Sequence, residues 1–204
     1  MKNEMRVVAA LVLVAAIAVA TQYELKYDNG QNWGGLYVAN QGPDEWMAYD
    51  FSPAGVSANE VLTIRAAAAQ GPNLKWDGFR VALFTFDNVP GTMFWPTSGT
   101  PYYVLPSSSS SWTWVDIPVN YYLPSGVTNF AVAQEQYYYY PNNDLYCLDT
   151  SPRHTPHWWE KTPGQPWEQM FWTFTGTLML RAVVDGTLTG VQPTSFGRVK
   201  ALFR

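Results

Sequence analysis

From Thr21 to Val184 the chain alternates short runs of Val, Ile, Tyr, Phe and Trp with clusters of Pro, Gly, Asn and Asp, and nowhere in that span do apolar residues recur at helical spacing over a long stretch. Short apolar or alternating runs bounded by turn residues are the signature of strands. The pattern predicts nine: Tyr23–Tyr27, Leu36–Ala39, Glu45–Phe51, Ser57–Ala68, Phe79–Phe86, Thr100–Val104, Thr113–Val119, Asn129–Gln136 and Gly176–Val184. Val81–Phe86 is nearly continuous apolar material, as in a central strand covered by a second sheet, and Asp87–Gly91 ends it as a turn. Asp77-Gly78 is a second turn signal. The alanines at the end of Ser57–Ala68 would permit a helix, but Val61, Thr63 and Ile64 are β-branched and no good cap opens the segment, so it reads as a strand. Nine strands predict an all-β fold, an antiparallel two-sheet β-sandwich.

Three segments break this rhythm. At the start, Lys2 and Arg6 precede an apolar run from Val7 to Ala20 that ends in Ala18-Val19-Ala20. Its length suits the apolar region of a signal peptide and falls short of a bilayer-spanning helix. The expectation is a signal peptide over residues 1–20, export to the cell surface or beyond, and no membrane span after cleavage; an uncleaved anchor or a buried helix is the alternative. The remainder suffices for one β-sandwich domain over residues 21–185. Ser107–Ser111 reads as a surface loop, since a linker there would leave two halves with open sheet edges. Tyr137–Phe171 is punctuated by prolines and filled with Tyr, Trp, His and Asn, too aromatic for disorder and long enough for a functional loop or loop-and-hairpin region. Residues 186–204 read as a linker and a short amphipathic helix from Pro193, capped by Thr194 or Ser195, with Phe196, Val199, Leu202 and Phe203 as a partner-docking face; the alternative is a tail that packs on its own sandwich or frays.

Composition narrows the chemistry. Without residues 1–20 the chain has ten basic and fifteen acidic residues, a net charge of −5, which disfavours nucleic acid as a partner. The single cysteine, Cys147, cannot form an internal disulfide, so packing or bound ions must hold the domain. Aromatic residues make up 16% of the chain, more than all four charged types together at 14%. A planar ring stacks on the apolar face of a pyranose while amides and carboxylates bind its hydroxyls. Tyr138, Tyr140, Asn142 and Asp144 offer both parts, and Trp158, Trp159 and Trp167 add rings from the same region. The competing reading buries these rings in the core, where Trp112 and Trp114 are also expected. No cofactor is predicted; calcium is the one candidate ion, with Asp28 and Asp87 as oxygen ligands. Cys147, His154, His157 and Glu160 are zinc-type ligands, but Thr155-Pro156 between the histidines excludes regular helical spacing. An enzyme would need two facing carboxyls from Glu135, Asp144, Asp149, Glu160 and Glu168.

The order of short motifs resembles a family of bacterial secreted, jelly-roll-like β-sandwich accessory modules. Glu24-Leu25-Lys26-Tyr27-Asp28-Asn29-Gly30 is similar to that family's L-x-Y-D-D-G start, Phe51-Ser52-Pro53 to its F-T-P, and Phe84–Gly91 to its acidic turn before Pro-Gly. Trp158–Trp172 is similar to its aromatic segment, and Gly176–Val184 to its closing G-x-x-M-I-R-A strand. The turn carries Asp87 and Asn88 where family members often carry several acids. Thr194–Arg204 resembles a T-x-W-G-x-I-K-x-L-Y-R ending of secreted bacterial proteins, which implies docking or surface retention by a protein partner. The resemblance implies a non-catalytic module, and the aromatic loops an extracellular glycan or cell-surface polymer as its ligand. A structural or protein-docking surface module without a small ligand is the alternative, and a glycoside-active enzyme the third reading.

Overall fold

The computed structural model describes residues 21–36, 43–51, 56–139, 141–150, 157–170, 176–188 and 200–201. The predicted signal peptide and the tail positions Phe196, Val199, Leu202 and Phe203 lie outside them. Among the described residues the secondary structure is all strand, in two antiparallel sheets. In chain order the strands are β1 (Thr21–Leu25), β2 (Asn32–Leu36), β3 (Glu45–Asp50), β4 (Val56–Ala69), β5 (Phe79–Phe86), β6 (Pro90–Trp95) and β7 (Tyr102–Val104). The second half adds β8 (Trp112–Tyr122), β9 (Phe130–Gln136), β10 (Leu145–Asp149), β11 (Trp158–Lys161), β12 (Glu168–Gln169), β13 (Leu180–Leu188) and β14 (Lys200–Ala201). Sheet A runs β14-β1-β13-β4-β10-β2 with β8 also on β4, and sheet B runs β12-β11-β3-β9-β5-β6 with β7 also on β5.

Alternation along the strands builds the layer between the sheets. Leu25, Val61, Ile64, Ile117, Leu148 and Leu180 of sheet A meet Met47, Tyr49, Phe79, Leu83, Val132 and Trp158 of sheet B in one buried cluster. Buried tyrosines tie the layers through their hydroxyls, because a buried O–H needs a partner. Tyr27 donates to the Asp50 carbonyl at 2.8 Å, and Tyr49 accepts from the Leu178 N–H at 3.1 Å. Tyr146 donates to the Glu45 carbonyl at 2.9 Å and accepts from the Gln136 N–H at 3.1 Å.

Both outer faces carry alanine floors under aromatic rings. On sheet B, Ala48, Ala133 and Ala82 stand in one cross-strand row and pack with Trp46, Phe84 and Trp159. On sheet A, Ala67, Ala69, Cys147 and Met179 pack with Trp112, Trp114 and Leu145. Trp112 and Trp114 thus share a face of β8, but it is the outer one, since Val115 and Ile117 take the inner positions. Small floor residues leave room for the large rings, which on sheet B pack edge to face and cover sheet surface that would otherwise be wet.

Beside Trp114 the outer face of sheet A holds an ion network. Arg181 and Arg65 are directly opposite on β13 and β4, an unfavourable pairing by itself. Glu24 accepts from both, at 3.2 Å from Arg181 and 2.7 Å from Arg65. Asp28 takes the far side of the Arg181 guanidinium with both oxygens, Asp116 binds Arg65 at 2.7 Å, and the Trp114 ring lies 4.3 Å from the Arg181 guanidinium. Both oxygens of Asp28, one of the two expected calcium ligands, thus accept from the Arg181 guanidinium. Asp87 sits in the exposed turn between β5 and β6, bonded to the Asn88 amide. Among the described residues no three His, Cys, Asp or Glu side chains are grouped to hold a metal ion.

The sequence reading places β5 at its observed bounds and misses β6, β10, β11 and β12. Lys200–Ala201 form a short strand paired with Tyr23 and Glu24 of β1, and the rest of the expected C-terminal helix lies outside the described residues. The five serines run between β7 and β8, where the Ser108 carbonyl accepts from Trp76 Nε1 at 3.0 Å and the Ser111 carbonyl from the Gln70 N–H at 2.8 Å.

Candidate functional site

At one end of sheet B, β7, the loop before β5 and the loop after β9 bring tyrosines together. The first support is backbone: a Cβ on Gly71 would stand 2.2 Å from the Asn143 carbonyl, so only glycine lets the two loops touch. The second is Gly78, at φ +90°, where a Cβ would fall 2.3 Å from the Tyr103 hydroxyl. With no side chain there, Tyr103 lies against the loop and donates to the Asp77 carbonyl at 2.8 Å. Asp144 clamps the same loop, accepting from the N–H groups of Asp77 at 3.0 Å and Gly78 at 2.9 Å. Burial pushes the Asp144 carboxyl up to about 6, against the lowering effect of those two N–H groups.

The rings pack edge to face on this frame. Tyr103 and Tyr137 are 5.7 Å apart, Tyr137 and Tyr138 4.6 Å, and the Arg80 guanidinium lies 4.3 Å over Tyr137. Tyr102, on the opposite face of β7, stacks instead on Trp95 of the inner core. Tyr138 and Tyr139 keep 40% and 62% of their surface open, and Tyr102 and Tyr103 are exposed too. Burial, with a hydrogen bond to Tyr138, pushes the Tyr103 phenol up to about 12. Alongside lie Asn73, which reaches Asp77 and, at 3.4 Å, Asn142.

Beneath the rings, a cross-strand row on sheet B reads Tyr103, Arg80, Glu135, Trp46, Lys161. Glu135 is fully buried; one oxygen accepts from Arg80 Nη2 and, at 2.6 Å, from the Asp44 N–H, while the other has no partner. Burial raises its pKa against the pull of Arg80. On the inner face of the same sheet Glu45 is fully buried with both carboxyl oxygens unpartnered, and the neighbouring Gln134 has an unpartnered carbonyl oxygen. Burial, then the charges of Glu160 and Asp44, push Glu45 up to about 8.

The expected ligand-binding set divides. Tyr138 and Asn142 belong to the exposed cluster, and Tyr140 lies outside the described residues. Asp144 is a buried clamp whose oxygens are spent on backbone, so it positions the loop. Trp158 is 0% exposed, packed against Tyr49 in the inner core, and presents no face to a ligand. Trp159 is 7% exposed and donates to Asp50 at 2.9 Å, while Trp167 packs edge-on against Phe84. Trp159 pairs with Ala48, two strands and three residues from the end of β9, roughly 14 Å by strand spacing, so the structure does not join the tryptophans to the tyrosines. Sequence reasoning missed Tyr103 and Arg80; the paired tyrosines Tyr102-Tyr103, ahead of Leu105 and Pro106, were the available signal. No protein-family model, curated protein or solved structure matches this chain.

Proposed function

We propose that the protein is an exported, non-catalytic module whose exposed tyrosine cluster binds an extracellular glycan or cell-surface polymer. The observation that carries the reading is the grouping of Tyr103 and Tyr138 about Tyr137, with exposed Tyr139 next in the chain, fixed by glycine contacts and the Asp144 clamp, beside the amides of Asn73 and Asn142. Exposed rings on a rigid frame bind sugar faces with little ordering cost, and the amides supply hydroxyl partners. The arrangement is read as jelly-roll-like. Two motifs of the family resemblance, Leu25–Gly30 and Met179–Ala182, meet in the Asp28–Arg181 pair, which supports treating them as parts of one module.

The test is retention of residues 21–204 on insoluble cellulose, xylan, chitin and peptidoglycan, with Tyr138→Ala/Tyr139→Ala as comparison. Saturable retention by the parent chain, weakened about tenfold or more in the variant at an unchanged urea midpoint, is the expected result. Equal retention of both would remove the tyrosines from the site.

A further inference from the structure

The outer face of sheet A carries a second feature that the tyrosine cluster does not use. Val61 and Ile64 of β4 are three residues apart yet both lie in the inner core, which strict alternation forbids. The register explains it: consecutive Val184 and Val183 of β13 face Val61 and Thr63, leaving Leu62 as an extra residue. This bulge turns Leu62 and Thr63 to the same outer face. Across from it, on β8, Asn120 has φ +47°, a conformation few residues other than glycine adopt and asparagine tolerates best. Between the two lies a groove of about 370 Å³. Leu62 and Val183 are its apolar residues, Gln22, Thr63 and Asn120 line it, and Arg65 and Asp116 complete it.

We propose that this groove is a second saccharide subsite, taking a neutral pyranosyl unit. The proposal rests on the carbohydrate reading of the tyrosine cluster. The lining carries no net charge, because Arg65 and Asp116 form an ion pair at 2.7 Å. Gln22, Thr63 and Asn120 each both donate and accept, as sugar hydroxyls do, and the two aliphatic side chains suit the C–H face of a ring. Glu24 holds Arg65 from its other side at 2.7 Å, so the guanidinium is ordered before a ligand arrives. The volume lies in the range of small-ligand sites. Sites on both sheets would let one molecule bridge polymer chains, or hold one chain with an avidity neither site has alone.

Calorimetric titration of residues 21–204 with cellohexaose, xylohexaose, mannohexaose and chitohexaose tests this. Tyr138→Ala/Tyr139→Ala isolates the groove: it should still bind one of these probes, and adding Thr63→Val and Asn120→Gly should weaken that binding about tenfold. Both added changes suit the local backbone, and an unchanged urea midpoint verifies the fold. The proposal is overturned if the tyrosine variant binds none of the probes, or if its residual binding ignores Thr63→Val and Asn120→Gly. Failure of the tyrosine reading looks different: the parent and Tyr138→Ala/Tyr139→Ala would then bind with the same affinity and stoichiometry, and both would lose binding through the groove changes.

Discussion

The ion network on sheet A and the carboxyl group on sheet B both bury acids, under opposite rules. Around Arg181 each acid faces a cation: Asp28 and Glu24 on one guanidinium, Glu24 and Asp116 on the next, with Trp114 covering Arg181. Two opposed arginines become tolerable because Glu24 bridges them, and the same arginines hold its pKa down against the upward push of burial. On the inner face of sheet B the balance is missing. Glu45 has no partner for either oxygen, Gln134 offers another bare acceptor, and the charges that act on it, Glu160 and Asp44, are of the same sign. Burial without a donor costs several kcal/mol for an ionised carboxylate, so Glu45 keeps its proton at neutral pH instead. The first cluster is finished by protein; the second is finished by a proton.

Removing one side of the balanced cluster should have the largest effect. Arg181→Met leaves Asp28 buried without its cation and Glu24 with one arginine instead of two, and should cost roughly 3–5 kcal/mol in urea unfolding. Combining it with Asp28→Asn should recover part of that loss; strict additivity of the two changes would mean that the pair is not coupled.

The unbalanced cluster should answer to pH. A carboxyl whose folded pKa is raised binds its proton more tightly in the folded state, so the stability Glu45 contributes is complete below about pH 4.5 and is lost as pH rises through about 8. Between these limits the loss should reach up to roughly 4 kcal/mol. Glu45→Gln should flatten that part of the curve, measured as urea midpoints at acidic, neutral and alkaline pH. A parent curve that is already flat there would show that Glu45 is not buried as described.

At the solvent edge of the balanced cluster the effect should shrink. Asp116 is largely exposed, so Asp116→Ala should cost about 0–1 kcal/mol and less at high salt. A loss approaching that of Arg181→Met would extend the buried network out to Arg65.

The sequence was most informative where alternation and turn chemistry agree, as in Phe79–Phe86 before Asp87-Asn88. It failed where short strands hide among prolines. Leu145–Asp149 and Trp158–Lys161 fall inside the stretch read as loop or loop-and-hairpin, with no strand bounds given, and Leu145–Asp149 shows no clean alternation because four of its five residues are buried. The spacing of Trp112 and Trp114 placed them on one face, but not on which, since an alanine floor can shelter tryptophan outside the main core. Tyr138 was visible as a candidate because it follows a strand in a polar, aromatic loop. The Asp28–Arg181 pair spans 153 positions, and the bare oxygens of Glu45 depend on what fails to surround them. Neither is a local property.

β1 has a consequence for time rather than for stability. Its ladder partners are β13 and β14, so Thr21 waits for Gly186 and Tyr23 for Ala201. β4 likewise pairs along most of its length with β13, more than a hundred residues later. Closing such large loops precedes any reward from the contacts they make, and folds dominated by distant pairings assemble in milliseconds to seconds rather than microseconds. Until β13 is available, a growing chain cannot complete sheet A.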